Sequence, residues 1–327
     1  MLAFILRRLL QSLLVMAVVA FIAFGLFNFT GDPVQFMVGQ DTTLEERAKL
    51  RAELGLDQPF YVQFAKYVGN AVRGEFGLSL RQARKVSVLL KERLPATVEL
   101  ATCAALLALF VGIPLGVYTA LRRSSVTSHF VLAASLIGVS LPSFLIGILL
   151  ILVFAVQLNW LPSFGRGETV AFGWWTSGLF TKTGLKALIL PTITLSLIQM
   201  TLIMRLVRSE MLEVLRTDYI KFARARGLTD RAIHFGHALK NTLVPVITIV
   251  GLQLGAIIAF AIVTETVFQW PGMGLLFIQS VYFADIPVMA AYLCLIALVF
   301  VIINLIVDLL YYGVDPRLRI ERSTAAH

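Results

Sequence analysis

Ala187-Leu-Ile-Leu-Pro-Thr-Ile-Thr-Leu-Ser-Leu-Ile-Gln-Met-Thr-Leu-Ile-Met-Arg-Leu-Val207 is an almost unbroken apolar run, and a second, 243–264, follows it after a strongly basic interval. A bilayer core about 30 Å thick needs about 20 predominantly apolar residues per helix. Each run is therefore long enough to cross. Outward from this pair, four more stretches qualify, at 9–29, 98–121, 130–157 and 287–312. The composition agrees: of 327 residues, 58% are hydrophobic and 14% charged, against about 25% charged in ordinary soluble domains. So few charges cannot cover a soluble globule. The reading is an all-α integral membrane protein with six transmembrane helices.

The remaining composition excludes other classes. The 23 glycines show no three-residue period, and the two cysteines, Cys103 and Cys294, are too few for a disulfide framework or a cysteine zinc site. The formal charge of +9 would point to nucleic acid in a soluble protein. In a membrane chain it points to basic cytoplasmic loops, and no nucleic-acid partner is expected. The first apolar run follows Arg7-Arg8 and reaches Asn28 with no small-residue cleavage site after it, so it reads as an uncleaved anchor.

Lysine and arginine in the short loops set the orientation. With the N-terminus in the cytoplasm, the inner segments hold Arg7, Arg8, Arg122, Arg123, Arg317, Arg319, Arg322 and eight basic residues in 205–242. The short outer loops hold only Arg166, Lys182 and Lys186. Both termini are expected inside. Segment 30–97 places Leu44, Ala48, Leu50 and Leu54, then Phe60, Phe64, Tyr67 and Val68, at helical spacing, with turn signals at Gly31-Asp32-Pro33, Gly55, Pro59 and Gly74. A small extracytoplasmic cap of amphipathic helices is expected there, an unstructured loop being the alternative. The organisation is then 1–29 as N-terminus and first span, 30–97 as cap, 98–312 as a five-helix core carrying the 205–242 loop, and 313–327 as cytoplasmic tail.

Reaction chemistry is missing. No G-x-x-x-x-G-K-[S/T] phosphate loop occurs. His234 and His237 form a pair without a third ligand, so no metal site is assigned, and no nucleophile or acid–base set converges; no residue is assigned a catalytic role. Asp308 in the last span and Glu265 just past the fifth are ionisable groups that carry a functional reading by default. For Asp308, an interhelical or Arg317 bond competes with a proton relay. Gln199 and Gln253 read as interhelical hydrogen-bonding or cavity-facing groups. Gly112-x-x-x-Gly116 and Gly251-x-x-x-Gly255 permit close helix packing. Pro114, Pro142, Pro191 and Pro245 can kink or end helices.

The basic interval is the most informative part. It contains Asp218-Tyr-Ile-Lys-Phe-Ala-Arg-Ala-Arg-Gly227. Thr217 or Asp218 can cap a helix of about eight residues, roughly 12 Å long, and Gly227 can end it in a left-handed turn. Tyr219, Phe222 and Ala223 are read as one face, with Lys221 and Arg224 pointing elsewhere. Thr229 or Asp230 caps a second helix running through His237, Asn241 and Pro245 into the fifth span. Such a helix suits docking into a groove of another protein, or attraction to anionic lipid. The physical reading leaves both open.

The run from Asp218 to Leu228, with His237-Ala-Leu-Lys-Asn241 and Pro245, resembles the coupling loop of ATP-binding-cassette importer permeases, most closely the peptide and nickel class. The broad pattern is Glu-Ala-Ala, three residues, Gly, then Leu-Pro. Ala223, Gly227 and Leu239 fit it, while Lys221, Phe222 and Lys240 replace the Glu, the first Ala and the Pro. The peptide-class variant, Asp-Tyr-Ile-x-x-Ala-Arg-Ala-Lys/Arg-Gly-Leu, fits throughout. Further matching blocks are Phe4-Ile-Leu-Arg-Arg8, Gly31-Asp-Pro33, Leu54-Gly-Leu-Asp57, Gly112-Ile-Pro-Leu-Gly116, Thr264-Glu-Thr-Val-Phe268 with Trp270-Pro-Gly-Met-Gly274, and Asn304-Leu-Ile-Val-Asp-Leu-Leu-Tyr311.

The resemblance implies a type I importer permease in a bacterial inner membrane, paired with a homologous second permease. Two ATPase subunits would supply ATP and Mg chemistry, this chain holding no cofactor of its own and catalysing no hydrolysis. An extracytoplasmic binding protein would deliver di- or oligopeptides or related small solutes. It also implies that Asp218, Tyr219, Phe222, Ala223, Arg224, Ala225, Gly227 and Leu228 form the ATPase-coupling helix. Tyr219, Phe222 and Ala223 would fill the ATPase groove, Arg224 would make the polar contact and Gly227 the turn. Trp270, Pro271, Gly272 and Gly274 are read as an outer gate loop, an ordered turn between spans being the alternative. A self-contained channel or secondary transporter is the rival function; it would want an ion-coordinating helix break or a charged pore ring, and the sequence displays neither.

Overall fold

The computed structural model describes residues 2–29, 43, 45, 52 and 57–314. Gly31-Asp32-Pro33, the residues Leu44, Ala48, Leu50 and Leu54, and the tail with Arg317, Arg319 and Arg322 lie outside the described residues, as does the side chain of Asp308. The helices are α1 (Leu2–Phe29), α2 (Phe60–Val72), α3 (Val86–Leu121), α4 (Val126–Ser140), α5 (Ser143–Leu150), α6 (Lys182–Val214), α7 (Asp218–Ala225), α8 (Leu239–Val267), α9 (Met273–Tyr282) and α10 (Ile286–Val314). π-helical turns occupy Ile151–Gln157 and Ala232–Ala238. A two-stranded hairpin, β1 (Val170–Phe172) and β2 (Trp175–Ser177), is where the described residues depart from the all-helical expectation. It turns through Gly173 at φ +64°, flanked by Phe172, Trp174 and Trp175 in a connection between the apolar runs.

Four segments are long and apolar enough to cross a membrane: Leu6–Leu26, Val86–Leu121, Lys182–Val214 and Ile286–Val307. Two bent pairs pass the same test, Val126–Ser140 with Ser143–Gln157 at 109° and Pro245–Gly251 with Gly255–Val267 at 44°, which makes six if each pair counts as one. The stretch 130–157, expected as one span, is therefore two helices. Pro142 causes the break: it lacks an N–H and biases Leu141 away from helical geometry. Pro142 sits just before α5 with φ −57° and ψ 137°. Pro191, by contrast, lies inside an uninterrupted α6. The helix expected to begin at 98 begins at Val86, so the 30–97 boundary falls within α3.

The chain divides into two compact units. The first comprises 1–95, 171–176 and 271–301. Here α2 realises the amphipathic repeat read from the cap: Phe60, Phe64 and Tyr67 lie against Phe21 and Phe24 of α1 with ring centroids 5.1–6.0 Å apart. Burial lifts the Tyr67 hydroxyl well above its usual range, helped by its 3.4 Å contact with the Cys294 thiol. Asp285, 2% exposed, accepts from the Ser79 hydroxyl and from the Leu80 amide at 3.1 Å, tying the segment before α3 to the turn after α9.

The second unit comprises 96–170, 177–270 and 302–327. Two glycines set its closest helix crossings. A Cβ at Gly116 would lie 2.7 Å from the Met204 carbonyl oxygen, and one at Gly251 would lie 2.2 Å from Val307 Cγ1. Only glycine admits such approach. Two apolar clusters fill the unit. One gathers Ala96, Leu100, Ala104, Leu188, Leu195, Ile257 and Trp270; the other gathers the ends of α3, α6 and α8 around α7.

Candidate functional site

The basic interval folds into a short helix rooted in the spans. α6 ends at Val214, and α7 begins four residues later after Thr217, whose hydroxyl donates to the Val214 carbonyl at 2.6 Å. The helix ends where Gly227 adopts φ +80°, its amide donating to the Arg224 carbonyl at 2.9 Å and the Leu228 amide reaching back to Ala223 at 3.3 Å. The expected left-handed stop is present. Thr229 opens the next element, its carbonyl accepting from the Ile233 amide at 3.0 Å and its hydroxyl from the Ala232 amide at 3.4 Å.

The inner face of α7 is Ile220 and Ala223. Ile220 is 0% exposed and packs in one cluster with Val117 and Ala120 of α3, Val207 and Met211 of α6, Ile233 and Ala238 of the π-helical turn, and Val246 of α8. The outer face carries Tyr219, Phe222, Lys221, Arg224 and Ala225, all exposed, with Phe222 at 65%. Asp218 and Lys221 pair at 2.8 Å on this surface, an exposed i,i+3 contact of little energetic consequence. The Arg226 guanidinium lies 5.9 Å from the Phe222 ring centroid, and Asn241 Nδ2 donates to the Tyr219 hydroxyl at 2.6 Å.

Ala223 does not share the outward face of Phe222. At about 100° per residue, Ala223 falls between Tyr219 and Ile220 on the helical wheel, and the larger Ile220 sets which way the wheel turns inward. The surface of α7 left open is Phe222 and Tyr219 with Ala225 and Arg224; Phe235 at 55% and Leu228 at 39% exposure add apolar surface from the following segment.

At the far end of α6 the same unit holds a polar knot that no local sequence pattern marks. Glu99, 6% exposed on α3, accepts from Arg166 Nε at 3.1 Å and from a second guanidinium nitrogen on the same carboxylate oxygen. Its other oxygen accepts from the Ser177 hydroxyl at 3.1 Å and from the Gly178 and Leu179 amides at 2.9 and 3.0 Å. A buried charge pair needs that degree of hydrogen bonding to be tolerated. The available signal was one carboxylate in an apolar stretch and one arginine in a short loop.

Trp270 lies beside this knot. It is 0% exposed, 5.9 Å from the Arg166 guanidinium, and its indole N–H donates to the Ala96 carbonyl at 2.9 Å. Glu265, also fully buried, accepts from the Thr97 hydroxyl at 2.6 Å, and its backbone carbonyl accepts from the Trp270 amide at 2.8 Å. The turn after α8 is thus anchored through Trp270, while Gly272 precedes α9 and Gly274 lies in its first turn. Of the other polar groups singled out, Gln199 is 4% exposed with its carbonyl oxygen unpartnered among the described residues, and Gln253 is half-buried. His234 and His237 lie in the Ala232–Ala238 turn, and no metal-holding cluster occurs among the described residues.

Residues 112–320 match the family described as "Binding-protein-dependent transport system inner membrane component", and residues 1–101 match its N-terminal companion. The chain belongs to this family. The permease is 37% identical to the dipeptide transport system permease protein DppB of Alkalihalophilus pseudofirmus, over 98% of this chain and 100% of that one. It is 39% identical to DppB of Escherichia coli K12 (98% and 99% covered) and 38% identical to the oligopeptide transport system permease protein AppB of Bacillus subtilis (97% and 99%). Among solved structures, inward-facing forms of the MetNI methionine ABC transporter match the permease with TM-scores of 0.54 and 0.55 at 19% and 20% identity, covering 69% of this chain and 96% of theirs. That likeness shows the fold alone, shared with type I ABC importer permeases, and the family together with the long apolar helices makes the permease a multi-pass membrane protein.

Proposed function

We propose that this permease is the membrane subunit of an ATP-driven, binding-protein-dependent importer of di- or oligopeptides. α7 is its coupling helix, docked on an ATPase subunit. The observation that carries the reading is the division of α7 itself: one side is built into three spans, and the other presents Phe222, Tyr219 and Arg224 to solvent. A segment that only tied two spans together would gain nothing from an exposed phenylalanine with Arg226 beside its ring. Docking into a groove accounts for both sides.

In this reading six helices cross the membrane with both termini in the cytoplasm, and 30–97 forms an outer cap under the binding protein. A homologous permease completes the path, and two ATPases bind ATP and Mg beneath; this chain hydrolyses nothing. The ordering of 1–29, 30–97, 98–312 and 313–327 follows from the same orientation, in a bacterial inner membrane. ATPase closure moves α7 as a rigid body and biases the pair between inward-facing and outward-facing states. Tyr219, Phe222 and Leu228 fill the groove, with Asp218, Arg224 and Ala225 at its edge, Gly227 as the turn and Ala223 as the root. Trp270, Pro271, Gly272 and Gly274 form the outer gate loop.

Gentle extraction of the tagged permease from its own membranes, followed by mass spectrometry of what co-purifies, tests this. Recovery with a second permease and two phosphate-loop ATPases is expected. Recovery as a homo-oligomer alone would overturn the proposal and bring a self-contained channel or secondary transporter forward.

A further inference from the structure

The inner part of α6 carries a basic stripe that the coupling site does not use. Arg205, Arg208, Ser209 and Leu212 recur at i, i+3, i+4 and i+7, which is one helix face. They line an open groove of about 530 Å³ whose opposite wall is Leu132, Ala133 and Leu136 of α4. The carboxylates of the same turns, Glu210 and Glu213, fall off the stripe and do not line the groove. Arg208 is half-buried, and its Nε is shielded from water with no hydrogen-bond partner among the described residues. Along α4 the same face continues through Val139, 47% exposed.

Two arginines and a serine on one wall of a groove, facing leucines on the other, call for a ligand that is an oxyanion at one end and hydrocarbon at the other. We propose that this groove binds an anionic phospholipid of the inner leaflet, its phosphate on Arg205 and Arg208, with the Ser209 hydroxyl donating and an acyl chain along Leu132 and Leu136. Free phosphate or a hydrophilic solute would leave the leucine wall wetted. A zwitterionic lipid brings its own cation against two arginines. The charge on the groove therefore selects a net-negative headgroup. The proposal rests on the orientation given under Proposed function, which puts this end of α6 at the cytoplasmic leaflet. Because α6 leads into α7 through only three residues, a lipid held here steadies the segment that carries the coupling helix.

The test uses the whole transporter in nanodiscs of phosphatidylcholine containing phosphatidylglycerol, with retained lipid quantified after mild delipidation. Preference for phosphatidylglycerol of about 10-fold is expected, the scale of one charge-assisted contact, falling to near parity in Arg205→Gln/Arg208→Gln. Leu136→Trp, which fills the apolar wall, is expected to reduce retention of both lipids while leaving the proteins assembled. Equal preference in the parent and the double variant would overturn the site. Displacement of the lipid by a dipeptide or by inorganic phosphate would overturn the lipid assignment too. ATPase content is measured in the same samples. Lipid preference that persists and responds to the substitutions without bound ATPases supports the groove while removing the coupling reading, so the two proposals fail separately.

Discussion

Ile220 and Phe222 sit two positions apart on one eight-residue helix and face opposite ways: Ile220 is 0% exposed inside the permease, and Phe222 is 65% exposed outside it. Two positions at about 100° each amount to roughly half a turn. The same short helix is thus rooted on one side and open on the other, and its two faces answer to different tests.

Phe222→Asp is expected to leave the permease folded and membrane-inserted while releasing or uncoupling the ATPases. Losing a buried aromatic anchor in an interface costs about 2 kcal/mol or more. Substrate-stimulated ATPase activity and ATPase co-purification should both fall. Unchanged stimulated activity would remove α7 from the coupling role.

Ile220→Ala should do the reverse. It opens a cavity among Val207, Met211 and Ile233 and costs about 3 kcal/mol of stability. The amount of folded permease and its thermal midpoint should drop. Activity per assembled transporter should fall less than in Phe222→Asp.

Glu99→Ala strands the Arg166 charge in a site where both side chains are at most 7% exposed. A loss of about 3–5 kcal/mol follows, read as a lower thermal midpoint. It should exceed that of Arg84→Ala, whose pair with Glu92 is half-exposed on each side.

Trp270→Phe removes the bond to the Ala96 carbonyl and keeps most of the packing, at a cost of about 1 kcal/mol. Trp270→Ala should lower transport sharply, even where a permissive temperature restores the amount of folded permease. Full transport by that folded fraction would leave the turn without a gating role.

Gly251→Ala places a methyl group against Val307 and should destabilise the crossing by about 1–3 kcal/mol. Val307→Ala in the same chain should recover part of the loss, because these two positions share one space. Additive losses would contradict the close approach.

The apolar stretches were legible because hydrocarbon demands about 20 residues whatever the tertiary context. The two faces of α7 were only partly legible. Wheel position alone puts Ala223 between Tyr219 and Ile220, and the packing of Ile220 beside Val207 and Met211 resolves which way it turns. The break at Pro142 was visible as a kink signal, but its 109° depends on how α4 and α5 each pack on α6. Glu99 and Arg166 lie 67 residues apart, and no local pattern links them. Their partnership arises only when the 165–180 connection folds back over α3.

The division of α7 also governs how this permease can change over time. Drift at Ile220 or Ala223 must be answered inside the chain, at Val117, Met211 or Val246, since those side chains fill the same volume. Drift at Phe222, Ala225 or Arg224 has no such internal creditor and, in the coupling role proposed for α7, is answered in the ATPase gene. Covariation across related transporters should therefore split along the axis of a single two-turn helix, intramolecular on one side and intermolecular on the other. A chimera that swaps the whole helix would break the first set of matches, so under the proposed coupling role grafting only the outward positions is the route to exchanging ATPases.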